Sequence, residues 1–327
     1  MDIVLMQIHS VAMLAVLVGC QYRPGGMQGP PPIEKGVPGD YVFQVSVEGV
    51  ERSYIVHVPT GYSDDRRWPV VLMLHGGGGS ARNAMWETGW AEKADQEGFL
   101  AAFPEGTPPD PSRPSRFRDN LQTWNDGSER ANVGAVARNA ADVEFISALL
   151  DDLQGRYQVD ERRIYATGFS NGASMTFRLA RELSQRLAAA APVAGSDWLM
   201  DEKPERAIPI LYLTGTADPL NPMGGGEIRL GGVELGDKPP VQRFIDDWVR
   251  LHRYPETPAV VYDQDDAKGV AYGFPGEAPG VVLYTIQGHG HHWPGGRSAL
   301  PVFLAGKNTA RLNATELIWE FFTSQTE

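Results

Sequence analysis

Gly168-Phe169-Ser170-Asn171-Gly172 constrains this chain more than any other stretch. It follows the β-rich run Arg163-Ile164-Tyr165-Ala166-Thr167 and opens a helical pattern at Ala173, Thr176, Phe177 and Ala180. A serine bracketed by glycines between a strand and a helix is the pattern of a nucleophile elbow. The sharp turn strains the serine backbone, and only small neighbours let the chain pass. Its Oγ then stands at the foot of a helix, where the N-terminal dipole favours developing negative charge. The competing reading, an ordinary helix N-cap serine, leaves the glycine bracket and the downstream acid and histidines unexplained.

Those downstream residues arrive in a definite order. Leu211-Tyr212-Leu213 closes an apolar run and leads into Thr214-Gly215-Thr216-Ala217-Asp218-Pro219. A further apolar run at 281–286 leads into Gly288-His289-Gly290-His291-His292-Trp293-Pro294. Ser, then Asp, then His, each just past a strand's C-terminal end, is the α/β-hydrolase order. Asp218 is the expected acid, with Asp197 as the alternative, whereas Asp142 falls on a helical pattern and reads as structural. Upstream, residues 70–74 run into His75-Gly76-Gly77-Gly78-Gly79. Glycines there let backbone N–H groups approach a substrate oxygen. The expected oxyanion donors are the N–H groups of Asn171 and Gly77, with Gly76 or Gly78 as alternatives to Gly77. His75 is expected to make structural hydrogen bonds.

Short apolar runs at 69–74, 99–103, 162–167, 188–194, 208–213 and 281–286 suit strands buried on both faces of a parallel sheet. Helical patterns at about 81–97, 139–156, 171–186, 241–252 and 313–323 alternate with them. Residues 41–47 and 52–58 alternate apolar and polar residues around Glu48-Gly49, as an antiparallel hairpin does. The expected fold is therefore α/β of the α/β-hydrolase type, with a mainly parallel central sheet, helices on both faces and an N-terminal antiparallel hairpin. Two long stretches, 104–120 and 222–240, read as neither strand nor helix. Both follow strand ends and are expected to form the rim of the cleft.

Leu74-His75-Gly76-Gly77, Gly168-Phe169-Ser170-Asn171-Gly172, Gly215-Thr216-Ala217-Asp218-Pro219 and Gly290-His291-His292-Trp293-Pro294-Gly295 together resemble the polyhydroxybutyrate depolymerase / feruloyl esterase-like family. Trp124-Asn125 and Ala191-Pro192-Val193-Ala194-Gly195 add to the likeness, which runs from about Gly39 to the C-terminus. The resemblance implies a secreted serine esterase of the α/β-hydrolase fold, acting on polyester fragments, feruloylated or acetylated polysaccharide, or small esters. It places the general base at His291, leaving His289 and His292 as packing or rim residues, with His292 also a candidate substrate contact. Family members usually carry paired cysteines, which this chain lacks, so its loops are held by packing alone.

The reading that follows is Ser170 as nucleophile, His291 as base and Asp218 as its orienting acid, with no metal or organic cofactor required. An acyltransferase using the same triad is the alternative, and a non-catalytic ligand-binding lipoprotein a further one. Trp86, Trp124, Trp198 and Trp293 fall near predicted strand ends, and Trp124 and Trp293 are the candidate stacking residues for a substrate ring. Trp248 and Trp319 read as core; His57 and His252 have no assigned role. A net charge of −12 in 327 residues argues against nucleic acid as partner.

The amino terminus reads as separate from the fold, leaving residues 40–327 as one domain. Residues 11–18 form an apolar run of signal-peptide size, ending in Leu17-Val18-Gly19-Cys20, which resembles a bacterial lipobox. Cys20 is the single cysteine of the chain and the expected lipidation site. The leader lacks Lys or Arg before its apolar run, so an ordinary cleaved leader, giving a secreted protein, is the alternative to a lipid-anchored envelope protein. The Pro- and Gly-rich stretch 21–39 reads as a tether. Oligomeric state is not legible.

Overall fold

The computed structural model describes residues 36–116, 119–230, 233–298 and 300–325. The leader, Cys20 and the tether as far as residue 35 lie outside the described residues.

The chain begins with the antiparallel hairpin β1 (Gly39–Val47) and β2 (Val50–Val58). Next come β3 (Trp68–Leu74), the helices α1 (Ala81–Thr88) and α2 (Trp90–Glu97), and β4 (Leu100–Pro104). The helical pattern at 81–97 is thus two helices. Gly89, at φ 71°, caps the first and begins the second, a left-handed cap that glycine adopts without strain. After a long connection, the short α3 (Gly134–Ala137) and the longer α4 (Asp142–Arg156) precede β5 (Val159–Phe169). Then α5 (Asn171–Glu182), β6 (Ala189–Val193) and β7 (Ile210–Gly215) follow.

The stretch 222–240 is not a loop. It forms a two-stranded antiparallel hairpin, β8 (Gly226–Leu230) and β9 (Val233–Lys238), ahead of α6 (Val241–His252). A second unanticipated hairpin, β10 (Ala259–Gln264) and β11 (Ala267–Tyr272), turns through Asp265 and Asp266, both at positive φ. The chain closes with β12 (Val281–Ile286), the short α7 (Val302–Ala305) and α8 (Ala314–Ser324).

Ten strands form one sheet in the order β1-β2-β4-β3-β5-β6-β7-β12-β11-β10. The six from β4 to β12 run parallel, and antiparallel pairs extend both edges. All seven residues of β3 are buried, as expected for a strand covered on both faces. On one face α8 lays Trp319 against Phe99 (ring centroids 4.3 Å apart) and Phe322 against Tyr165 (4.5 Å). Tyr212 points to the opposite face, where it meets Phe177 of α5 and Phe244 of α6. Helices therefore cover both faces, and the molecule has the α/β-hydrolase fold.

The chain visits β3 and β4 and then crosses to β5 on the other side of β3, so the crevice at the C-terminal ends of β3 and β5 is a topological switch point. The His75 loop and Ser170 both leave the sheet there.

Candidate active site

Ser170 is the sole residue between β5 and α5 and sits at φ 56°, ψ −119°. Such a conformation costs a non-glycine residue about 1–3 kcal/mol, and the flanking glycines show how it is imposed. A Cβ on Gly168 would lie 2.4 Å from the Gly172 carbonyl oxygen, and one on Gly172 would lie 2.3 Å from that of Leu74. The turn closes only with glycine at both positions. The Ser170 N–H is anchored on the Val193 carbonyl of neighbouring β6 (2.9 Å).

The Ser170 hydroxyl donates to His291 Nε2 at 2.8 Å, and His291 Nδ1–H donates to Asp218 Oδ2 at 2.7 Å. A carboxylate only accepts, which fixes the proton on Nδ1 and leaves Nε2 as the acceptor facing serine. Asp218 Oδ1 takes the N–H groups of Leu220 and Asn221, each at 2.8 Å. Burial alone would raise the Asp218 carboxyl. The adjacent His291 and these N–H donors outweigh burial and hold it below the usual carboxylate range. Phe169 backs the imidazole, with ring centroids 4.8 Å apart.

Asp197, the alternative acid, is turned away from this cluster. It lies buried against Arg181 (2.6 Å) and Trp248 Nε1 (2.9 Å). Asp142 is likewise buried, on Arg52 (2.7 Å) and the Asn125 N–H (2.7 Å).

Gly76 and Gly77 line the cleft beside Ser170 and Asn171. Gly78 is excluded as a donor to substrate, because its N–H is spent on the Gln122 carbonyl (2.8 Å). As the first residue of α5, Asn171 has no intrahelical acceptor for its N–H. Its side chain is clamped: Oδ1 accepts from the Trp124 N–H (2.7 Å) and Nδ2 donates to Asp126 Oδ2 (2.9 Å). His75 is buried, and burial pushes its pKa down to about 4. Neutral, it donates Nδ1–H to Gly76 O (2.8 Å) and accepts the Gly106 N–H at Nε2 (2.9 Å). Gln122 completes the clamp, donating to Gly79 O (2.8 Å).

The aromatic and histidine candidates for substrate contact are corrected by burial. Trp124 and Trp293 are both 0% exposed. The indole N–H of Trp124 goes to His75 O, and that of Trp293 to Thr315 Oγ1, so neither offers a ring face to a substrate. His292 is buried with both nitrogens engaged, Nδ1 with Ser298 Oγ (2.8 Å) and Nε2 with Gly306 O (3.0 Å). His289 packs behind, where Thr309 and Ala310 donate to its Nδ1. Trp86 is exposed beneath Arg297, outside the cleft lining.

The cleft has two arms that meet at Ser170. The larger, about 290 Å³, reaches His291 and is walled by Leu121, Val133, Phe169, Leu300, Leu304 and Ala305. The smaller, about 110 Å³, is lined by Arg130, Ser170, Asn171, Ser174, Leu220, Ile228 and Lys238. The long connection contributes its walls through residues 121–133 rather than 104–120, and the 300–305 wall carried no expectation at all. Gln122, Asp126, Arg130 and Lys238 also went unread, since isolated polar residues in loops have no periodicity or spacing to mark them.

The segment 56–228, more than half of the chain, matches the dienelactone hydrolase family. The chain is similar to the esterase-named protein NocK of Nocardia uniformis subsp. tsuyamanensis, at 28% identity over 295 residues, covering 85% of this chain and 81% of that one. It is 33% identical over 182 residues to feruloyl esterase B of Piromyces equi, covering 54% of this chain but only 31% of that protein. With poly(3-hydroxyalkanoate) depolymerase C of Paucimonas lemoignei it shares 24% identity over 266 residues, covering 73% of this chain and 58% of the other. Among solved structures, an acetyl xylan esterase from Aspergillus awamori shares the fold, with a TM-score of 0.57 at 14% identity over 87% of this chain and 99% of that one. Fold, family match and esterase relatives agree: the chain belongs to the dienelactone hydrolase family and is a carboxylic ester hydrolase.

Proposed function

We propose that the protein hydrolyses short carboxylic esters through an acyl-enzyme on Ser170, with His291 as the general base and Asp218 as its partner. Its substrates in this reading are small acyl esters of the 3-hydroxybutyrate, feruloyl or acetyl kind. The observation that carries the mechanism is the unbroken hydrogen-bond relay Ser170–His291–Asp218, with its proton direction fixed by the carboxylate.

Ser170 Oγ attacks the ester carbonyl as its proton passes to His291 Nε2. The N–H groups of Gly77 and Asn171 stabilise the oxyanion, in a cleft whose apolar walls strengthen each hydrogen bond. Collapse breaks the ester C–O bond, and His291 returns the proton to the leaving alkoxide. Water then attacks the acyl-serine by the same route and releases the acid. Asp218 stays ionised throughout and stabilises the imidazolium.

The test is a panel of 4-nitrophenyl esters, methyl ferulate, acetylated xylan oligomers and 3-hydroxybutyrate oligomers, with a fluorophosphonate probe alongside. Wild type should turn over at least one ester and label with the probe. Ser170→Ala should do neither, and retained turnover in that variant would sink the assignment.

We also propose export with a lipid anchor on Cys20, supported by the apolar run and the Leu17-Val18-Gly19-Cys20 ending. Incorporation of labelled palmitate by wild type but not by Cys20→Ala is the expected result.

A further inference from the structure

The two arms of the cleft differ in chemistry, and the difference sorts the two halves of an ester. The leaving alcohol oxygen must lie beside His291 to receive its proton. His291 lines the larger, apolar arm and is absent from the lining of the smaller one. The alcohol therefore occupies the larger arm, and the acyl chain points into the smaller. That arm is lined by both Arg130 and Lys238; Arg130 also borders the larger arm, whereas Lys238 lines the smaller one alone.

Those two cations are not equally neutralised. Arg130 is paired with Asp126 (2.8 Å) and also donates to Ser128 Oγ (2.9 Å). Its guanidinium lies against Trp198, 4.6 Å from the ring centroid. Lys238 Nζ donates to Asn221 Oδ1 (2.9 Å), a neutral acceptor. Among the described residues no carboxylate forms an ion pair with it. Burial, with Arg130 adding to it, pushes the Lys238 ammonium down to about 8, against the opposing pull of Asp218 and Asp126. A part-buried ammonium with no carboxylate in direct contact is costly, and the nearby opposite charges, Asp218 and Asp126, act on Lys238 only without a direct ion pair. The lysine is held in place by a network: Asn221 donates to Tyr212 Oη (2.7 Å) and through its N–H to Asp218 Oδ1 (2.8 Å).

We infer that Lys238, with Arg130, receives a carboxylate at the far end of a short acyl chain, so that the preferred substrates are half-esters of small dicarboxylic acids with an apolar alcohol. The inference rests on the acyl-enzyme mechanism proposed above and narrows its acyl group, because an arm of this size has no room for a feruloyl ring. The ligand supplies the missing counter-charge, and the arm's size suits it: at about 110 Å³ it holds on the order of four water volumes, room for a carboxylate and a carbon or two. Leu220 and Ile228 provide apolar sides for those carbons. The products are the alcohol and the free dicarboxylate, with one water consumed.

The experiment compares kcat/KM for benzyl hydrogen succinate, the benzyl ester of succinamic acid and 4-(acetoxymethyl)benzoate. The second replaces the acyl carboxylate by a neutral amide, and the third moves the charge to the alcohol. Wild type should prefer the half-succinate to the benzyl succinamate at least tenfold, and free succinate should inhibit hydrolysis of benzyl butyrate more strongly than the uncharged succinamide does. Both readings need no variant. In Lys238→Met the ratio of the first two substrates should fall toward one, while Lys238→Arg should keep most of it. A wild-type ratio near one, with benzyl butyrate turned over in a Ser170-dependent way, overturns the inference and leaves the esterase reading standing. Preference for the acetoxymethyl benzoate overturns the acyl-side assignment. No turnover and no fluorophosphonate labelling removes the esterase reading and this inference together.

Discussion

Single side chains and single N–H groups set the chemistry of this site. Asp218 holds the Nδ1 proton of His291; an asparagine there can present its amide the other way and favour the wrong tautomer. Asp218→Asn should therefore lower kcat by roughly 10³–10⁴ with little change in stability, checked by steady-state kinetics beside a thermal melt. The oxyanion donor on the glycine loop is backbone and survives ordinary substitution. Gly77→Pro removes its N–H and should cost about 10²–10³ in kcat, whereas Gly77→Ala adds a methyl that meets nothing closer than 3.7 Å and should be far milder. Equal losses in the two variants would mean that the donor is not Gly77.

Elements differ in how plainly they were written into the sequence, and the difference has a physical cause. Parallel strands buried on both faces must be continuous apolar runs, so residues 70–74 and 281–286 were legible as strands without any structure. The elbow was legible because sterics allow few residue types there. Gly172→Ala would press a methyl 2.3 Å from the Leu74 carbonyl, and should cost about 1–3 kcal/mol or more, read by urea denaturation. It should also abolish probe labelling, since the strain falls on Ser170. The hairpin β8–β9 was hidden for a different reason: its two short strands pair with each other apart from the main sheet, in a stretch rich in Gly and charged residues. The hairpin β10–β11 turns on Asp265-Asp266 rather than the Asn-Gly or Asp-Gly that mark such turns. The tryptophans misled because proximity in sequence to a strand end says nothing of direction, and Trp124 and Trp293 turn inward.

Across the whole molecule, burial of titratable groups couples stability to pH in opposing senses. Burial pushes Glu87 from 4.5 to about 7 and His75 from 6.5 to about 4. Between pH 4.5 and 7 the folded chain keeps a proton on Glu87 that the unfolded chain has released, so this group's contribution is full below 4.5 and lost as pH rises through 7. His75 works the other way: the unfolded chain protonates first, and its contribution is lost as pH falls from 6.5 toward 4. Burial depresses His252 and His289 as well, with the same sign as His75, while Glu105 is raised by burial and sides with Glu87. The total is a partial cancellation, so the wild-type curve alone cannot isolate any one group. A difference measurement can. Glu87→Gln keeps the shape and removes the titration, so its stability relative to wild type should climb with pH between 4.5 and 7. The slope is limited to about 1.4 kcal/mol per pH unit, the value of one proton, with a plateau above. Urea denaturation of the two proteins at half-unit pH steps measures it. A difference that stays flat across the window means that Glu87 ionises in the fold as it does in water, and the burial argument for that carboxyl is then wrong.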